Sequence, residues 1–398
     1  MMSDDSNGSY TEMTSESWWE RIKSAFGSAL FGLILFLVAF PLLFWNEGRA
    51  VHRAQTLDEG ASRVITIEAN QVEPDNEGKL VHLTGQATSD ETLTDVTFGL
   101  AKANIIKLQR VVKMYQWQEE QRSETKEKLG GGTETVITYS YRKTWASERF
   151  DSNLFKQAED HQNPSSMPFN SKTFEAEKVT VGIFTLSASF INQLHNYQNL
   201  PLTDANLTQV SEELRNQLQI QNGTYYMGKN PAQPQIGDVQ ISFKVVSPEV
   251  VSIVAQQVGS TLTAYTTQAG GTIELFEYSS VSAANMFKHE QSFNTMLTWV
   301  LRLVGFLMMF IGLIFIFGVL STLAAFLPFL GDIVGFIGAL VSFIVAATLS
   351  LMIIAIAWIV YRPLLGITLL VIAGSLLYFL KFARKPQEET ITVPETSR

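Results

Sequence analysis

The chain of 398 residues contains no cysteine. That removes disulfides, thiolate zinc sites, iron–sulfur clusters and cysteine nucleophiles together. Histidine is scarce: only His52, His82, His161, His195 and His289 are present. No two of them stand at helical ligand spacing, and the HExxH pattern of zinc peptidases is missing. Positive charge is also short, with 29 Lys and Arg against 38 Asp and Glu, a net charge of −9. Phosphate recognition needs basic surface, so nucleic acid is not an expected partner.

Signatures of catalysis are equally thin. His52 followed by Asp58 misses the HxxxxD acyltransferase spacing by one residue. Gly130-Gly131-Gly132-Thr133 lacks the lysine of a phosphate loop, and its flanks read as strands, so it is a hairpin loop. No GxSxG elbow is present. Nothing assembles a nucleophile, a base and an oxyanion site. No catalytic residue, cofactor site or metal site is therefore assigned.

What charge there is avoids the C-terminal quarter. From residue 296 to 385 the charged side chains are Arg302, Asp332 and Arg362, then Lys381, Arg384 and Lys385. About 20 apolar residues cross a bilayer as a helix, and this stretch holds three such segments, at 296–320, 333–360 and 364–380. Another lies at 24–45, introduced by Trp18-Trp19 beside Arg21 and Lys23 and closed by Trp45, the arrangement of a headgroup belt. No small-residue cleavage site ends it, so an uncleaved anchor is expected rather than a signal peptide. Four spans put both ends on one face, and the basic cluster of the 381–398 tail marks that face as cytoplasmic. Residues 1–23 are polar and Ser-rich and read as a mobile tail.

Residues 46–295 contain no spanning segment. They read as a large extracytoplasmic or lumenal α+β domain, strand-rich and antiparallel, beside an all-α four-helix transmembrane region. Residues 108–122, with Val111-Val112-Lys113-Met114-Tyr115-Gln116-Trp117, and 134–148, with Val136-Ile137-Thr138-Tyr139-Ser140-Tyr141, read as the arms of one long antiparallel hairpin. Further strands are predicted at 79–84, 179–186, 224–227, 238–246, 250–257, 261–266 and 272–278. Leu207, Val210, Leu214 and Leu218 share one face of a predicted amphipathic helix. Asn206-Leu207-Thr208 and Asn222-Gly223-Thr224 are glycosylation sequons, relevant in a eukaryotic secretory host.

Two sets of membrane residues stand out. Gly338, Ser342, Ala346 and Ser350 recur every fourth position, with Gly331 and Gly335 beside them. Such a stripe lets helices approach closely, within the bundle or against another copy. Arg302, Asp332 and Arg362 are candidates for lipid-headgroup binding or for structural pairing, with Asp332 read as capping the third span.

The chain resembles the transmembrane protein 43 family. The resemblance rests on Gly78-Lys79-Leu80-Val81-His82, Met114-Tyr115-Gln116-Trp117, Tyr139-Ser140-Tyr141 with Trp145, His161, Asn163-Pro164, Val181-Gly182 with Phe184, Gly237-Asp238-Val239, Thr298-Trp299 with Leu301-Arg302, and Arg362-Pro363-Leu364-Leu365-Gly366. It covers nearly the whole chain after the N-terminal tail. It implies four spans, one large domain between the first two, and both termini on the opposite face. In animals the family is associated with the endoplasmic reticulum and inner nuclear membrane. It is thought to self-associate there and to organise membrane protein complexes with lamins and emerin. The acidic, Ser-rich tail does not resemble the animal proteins; a bacterial member would place the domain in the periplasm of an inner-membrane protein. The function expected is a self-associating scaffold in contact with membrane lipids. The alternative is a membrane-embedded lipid sensor or lipid-modifying enzyme using Arg302, Asp332 or Arg362.

Overall fold

Alternation of apolar and polar side chains writes the strands of the extramembrane region. In Val239–Val246 every second residue is buried, the period that puts one face of a strand on a core. A computed structural model describes residues 3–5, 9–325, 328–364, 366–368, 371–372 and 375. The strands used below are β1 (Ser9–Glu16), β2 (Leu80–Thr88), β3 (Lys107–Glu127), β4 (Thr133–Ala146), β5 (Val239–Val246) and β6 (Glu249–Val258). The long helices are α1 (Trp18–Arg63), α2 (Ala283–Ala324) and α3 (Pro328–Tyr361).

The chain divides into a strand-rich unit (1–23, 54–293, 322–332) and a helical unit (24–53, 294–321, 333–398). In the first, a nine-stranded sheet runs Ser3–Asp5, β1, β4, β3, β5, Thr224–Met227, Leu218–Gln221. Gln198–Leu200 adds to β5 and Lys172–Glu175 to β3. A seven-stranded sheet contains a ring of pairings: β6 with Thr261–Thr263, then Phe184–Leu186, Thr180–Val181 and β2, which pairs back to β6. Closure of that ring removes free edges from its members. Val81, Leu83, Phe184, Ile253 and Ala255 of this sheet share one core with Val112, Met114, Ile241 and Phe243 of the other.

The predicted hairpin is present, its first arm running on to Glu127 and its second ending at Ala146. Residues Met114–Glu127 pair with Thr133–Ala146 without interruption. Gly130 (φ +89°) and Gly131 (φ +81°) turn the chain at its tip, a conformation glycine adopts at no steric cost.

Three expectations are corrected. The N-terminal tail is not mobile throughout: β1 pairs with β4 from Ser9↔Ser140 to Glu16↔Thr133. Its alternating Thr, Ser and Glu looked solvated because the partner strand lies far along the chain. The amphipathic helix is two single turns, Asp204–Leu207 and Glu212–Arg215, and Leu218 begins a strand. Arg215 donates to the carbonyls of Thr208 and Val210, holding the break open, while Val210 and Leu218 still reach the core. Finally, the first span is the middle of a 46-residue helix. Ser17 and Glu20 form a reciprocal capping box at its start, and helix-favouring residues carry it past Trp45.

In the helical unit, Ala39 and Leu43 of α1, Met309 and Leu313 of α2, and Ala346 and Ile353 of α3 make one apolar cluster. Among the described residues three helices are long and apolar enough to cross a membrane. The predicted fourth span, 364–380, lies largely outside the described residues, as does the 381–398 tail.

Candidate functional site

The helical unit buries charge. Glu47, two residues beyond Trp45, is fully buried. Its Oε1 accepts from Arg302 Nε at 2.6 Å, and its Oε2 accepts from Arg302 Nη2 at 2.8 Å and from Trp358 Nε1 at 2.8 Å. One carboxylate thus ties together α1, α2 and α3. The Arg302 guanidinium lies 4.7 Å from the Trp299 ring centroid and 5.7 Å from that of Trp358, so its faces meet π-electrons while its edge meets the carboxylate.

A second layer adjoins it. Arg49 donates to Asn294 Oδ1 at 2.9 Å and Thr298 Oγ1 at 3.0 Å. Asn294 Nδ2 donates to the Ala50 carbonyl at 2.9 Å, and Asn46 Nδ2 to the Thr298 carbonyl at 3.1 Å. Each of these polar groups would be costly in hydrocarbon alone. Together they form a satisfied lattice between α1 and α2. Its chemistry is that of a clamp, since the carboxylate's acceptors are already engaged by strong donors.

Small residues let the helices come close enough for this. A Cβ on Gly32 would stand 2.6 Å from the Gly312 carbonyl oxygen, and one on Gly312 the same distance from the Gly32 carbonyl. One on Gly48 would strike the Tyr361 ring at 2.6 Å.

The residues singled out in the sequence fall as follows. Arg302 is the cation of the clamp. Ser342, Ala346 and Ser350 are buried, and Ser350 Oγ lies 3.8 Å from Met309 Sδ, so this stripe faces inward onto α2. Gly338 would meet Phe317 Cβ at 3.3 Å and Gly335 would meet Ser321 Oγ at 3.2 Å. Gly331 approaches Ala325 within the strand-rich unit. Asp332 is exposed and stands inside α3, which starts at Pro328, so it is not the cap that was expected. Arg362 follows α3 directly, its N–H bonding the Trp358 carbonyl at 2.8 Å. Sequence reasoning missed Glu47, Asn46, Arg49, Gly32 and Gly312. Glu47 was hidden by position: it follows the apolar run and reads as solvated. The available signal was Arg302 inside the next span, which demands an acid.

In the strand-rich unit, a polar and aromatic cluster forms at the base of the hairpin. His161 stacks on Tyr141 (3.7 Å between centroids) and meets Trp117 edge-on at 4.6 Å. Asn163 pairs with Trp117 as a strand would, its Oδ1 accepting from the Trp117 N–H at 2.7 Å and its Nδ2 donating to the Trp117 carbonyl at 2.8 Å. Gln116 does the same to the following loop, accepting from Phe150 N and donating to the Glu148 carbonyl. Tyr141 donates to Glu119 at 2.7 Å; burial, reinforced by that bond, pushes its phenol above the usual tyrosine range. Asp238 accepts from the Tyr226 hydroxyl, and burial together with that bond likewise raises the Tyr226 phenol. No group of three or more His, Asp or Glu able to hold a metal occurs among the described residues.

Met114 to Trp117, Tyr141, His161, Asn163 and Asp238 thus meet around one hairpin base, and Trp299 meets Arg302 in the clamp. The family described as transmembrane protein 43 matches residues 114–363. Mouse transmembrane protein 43 is 35% identical over 370 residues, covering 89% of this chain and 90% of the relative. The chain belongs to the transmembrane protein 43 family. The human protein is 34% identical over 378 residues, covering 92% of this chain and 91% of its own. The fruit-fly homologue is 31% identical over 366 residues, covering 89% and 94%. No solved structure matches the chain. This family member is a membrane protein, with a clamp of buried charge in its apolar helices.

Proposed function

We propose that this protein is a self-associating membrane scaffold, displaying its strand-rich domain to partner proteins from a rigid helical anchor. The observation that carries this reading is the saturation of Glu47. Arg302 and Trp358 take up its acceptors, so the charged centre of the anchor fixes helices instead of presenting a reactive group. The bidentate engagement of Arg302 also withdraws it from headgroup binding. α1 begins on the cytoplasmic face, and the strand-rich domain is rooted on the periplasmic or lumenal side.

Crosslinking in native membranes, read by mass spectrometry, tests the reading. Links between copies of the chain, and recurrent links from the strand-rich domain to other membrane proteins, are expected. A particle of monomer mass in mild detergent with no links between copies would overturn it. Asp332→Ala is expected to leave assembly and partner links unchanged.

A further inference from the structure

The strand-rich unit contains both ends of α1. At one end, Ala54–Arg63 is rooted in its core. Leu57 is buried with Leu80, Val254 and Ile273, and Glu59 accepts from the backbone N–H groups of Gln268 (3.0 Å) and Ala269 (3.1 Å). At the other end, the first turns of α1 meet the hairpin tip. Arg21 donates to the Gly131 carbonyl and to Glu127 Oε1, each at 2.5 Å. Trp18 Nε1 donates to the Thr322 carbonyl at 3.0 Å. A Cβ on Gly131 would strike the Trp18 ring at 2.5 Å, so the tip needs glycine there. β1 runs along β4 to the same tip and hands the chain to α1 at Ser17.

The dimensions agree. At about 1.5 Å per residue, α1 covers roughly 50 Å from Arg21 to Ala54. At about 3.3 Å per residue, the 14 residues of β4 cover roughly 45 Å. Between Arg21 and Ala54 lies the apolar stretch that marks α1 as a membrane span, and a hydrocarbon core is only about 30 Å thick. Both ends of that stretch are held within the strand-rich unit, its start at the hairpin tip and its end in the core.

The far part of the hairpin is not built for lipid. Gln118-Glu119-Glu120-Gln121-Arg122-Ser123-Glu124-Thr125-Lys126-Glu127 is polar throughout, and its last eight residues are exposed. β1 is mostly Thr, Ser and Glu, and the facing part of β4 sets Thr133, Glu134, Thr135 and Thr138 among Val136, Ile137 and Tyr139. Cross-strand pairs such as Arg142–Glu120 (2.7 Å) and Lys128–Glu134 (3.1 Å) are of the solvated kind. In hydrocarbon, such side chains and an open strand edge are excluded. At the tip, by contrast, Leu129 is 90% exposed and Trp19 is 66% exposed, suited to a membrane–water interface.

We propose that the β3–β4 hairpin, edged by β1, passes through the depth of the membrane in a water-filled space enclosed by further copies of this chain. Leu129 then emerges on the face where α1 begins. Enclosure by copies rests on the self-association proposed above; the crossing itself rests on the tip and on the rooted end of α1.

The absence of cysteine makes the test direct. Leu129→Cys, Ser123→Cys and Leu154→Cys each introduce the chain's only thiol, at an exposed position that leaves folding intact; Leu154 is 81% exposed in the domain. In sealed vesicles of known orientation, an impermeant maleimide is expected to reach Leu129→Cys from the face on which α1 begins, and Leu154→Cys from the opposite face. A small charged thiosulfonate is expected to modify Ser123→Cys, which needs water around the thiol. Bifunctional maleimides of graded length are expected to join Ser123→Cys between copies. Labelling of Leu129→Cys and Leu154→Cys from one common face would overturn the crossing and leave the scaffold reading standing. A Ser123→Cys thiol silent toward the thiosulfonate would overturn the aqueous space. Correct sidedness without any linkage between copies would overturn the enclosure, and self-association with it.

Discussion

Glu47 and Arg302 stand 255 positions apart in the chain and meet through two hydrogen bonds. Removal of one partner leaves the other charge buried without compensation, a loss of about 3–5 kcal/mol, whereas replacing both by apolar residues of similar volume is near neutral. Glu47→Leu and Arg302→Met are therefore each expected to destabilise the helical unit strongly, and the double variant to recover most of the loss. Thermal unfolding in detergent, analysed as a double-mutant cycle, checks this; equal loss in single and double variants would refute the pairing. Tyr225 gives the opposite case. Its ring packs on Phe98 and Phe243, its hydroxyl is buried with no hydrogen-bond partner among the described residues, and burial pushes its phenol up to about 12. Tyr225→Phe is expected to raise stability by about 1 kcal/mol, visible as a higher unfolding midpoint.

At the scale of the element, two contacts decide how helices sit. α1 and α2 cross at Gly32 and Gly312 with no room for a Cβ. Gly312→Val forces the helices apart and is expected to cost about 1–3 kcal/mol, with greater protease sensitivity of the solubilised protein; an unchanged melting profile would show the crossing to be looser. The rooted end of α1 depends on Glu59. The Gln268 N–H, then the Ala269 N–H and the Arg63 charge, hold its carboxyl below 4.5 despite an opposing desolvation effect. A carboxyl lowered on folding stabilises above its unfolded value and loses that contribution as pH falls through its folded value. The stability gap between the parent and Glu59→Gln is therefore expected to be constant near neutrality and to close below about pH 4.5, as melts across that range would read. These elements also mark the limits of the sequence. Runs of β-branched and aromatic residues exposed β3 and β4, and apolar length exposed the spans. β1 carries no apolar face, and the turns around Val210 are set by Arg215 and by the close approach of Gly99 to Gln209. Neither signal is local.

For the whole molecule, the membrane character and the family were legible because apolar runs and short aromatic motifs are written contiguously. The clamp was half legible: Arg302 stood out inside a span, while Glu47 needed knowledge of which helix came beside it. Asn222, in an exposed turn with φ +50°, offers a check on sidedness. In a eukaryotic secretory host its sequon is expected to be glycosylated if the domain is lumenal, giving a gel shift that Asn222→Gln removes; absence of the shift would place that turn on the other face.

The Glu47–Arg302 pair also imposes an order on biosynthesis. The ribosome delivers α1 well before α2, and through that interval the acid waits for a cation not yet translated. A nascent chain stopped before Arg302 carries a polar defect at its anchor, the kind of unpaired group that membrane quality control can recognise. Completion of α2 is thus the moment at which the first helix becomes a stable resident of the bilayer.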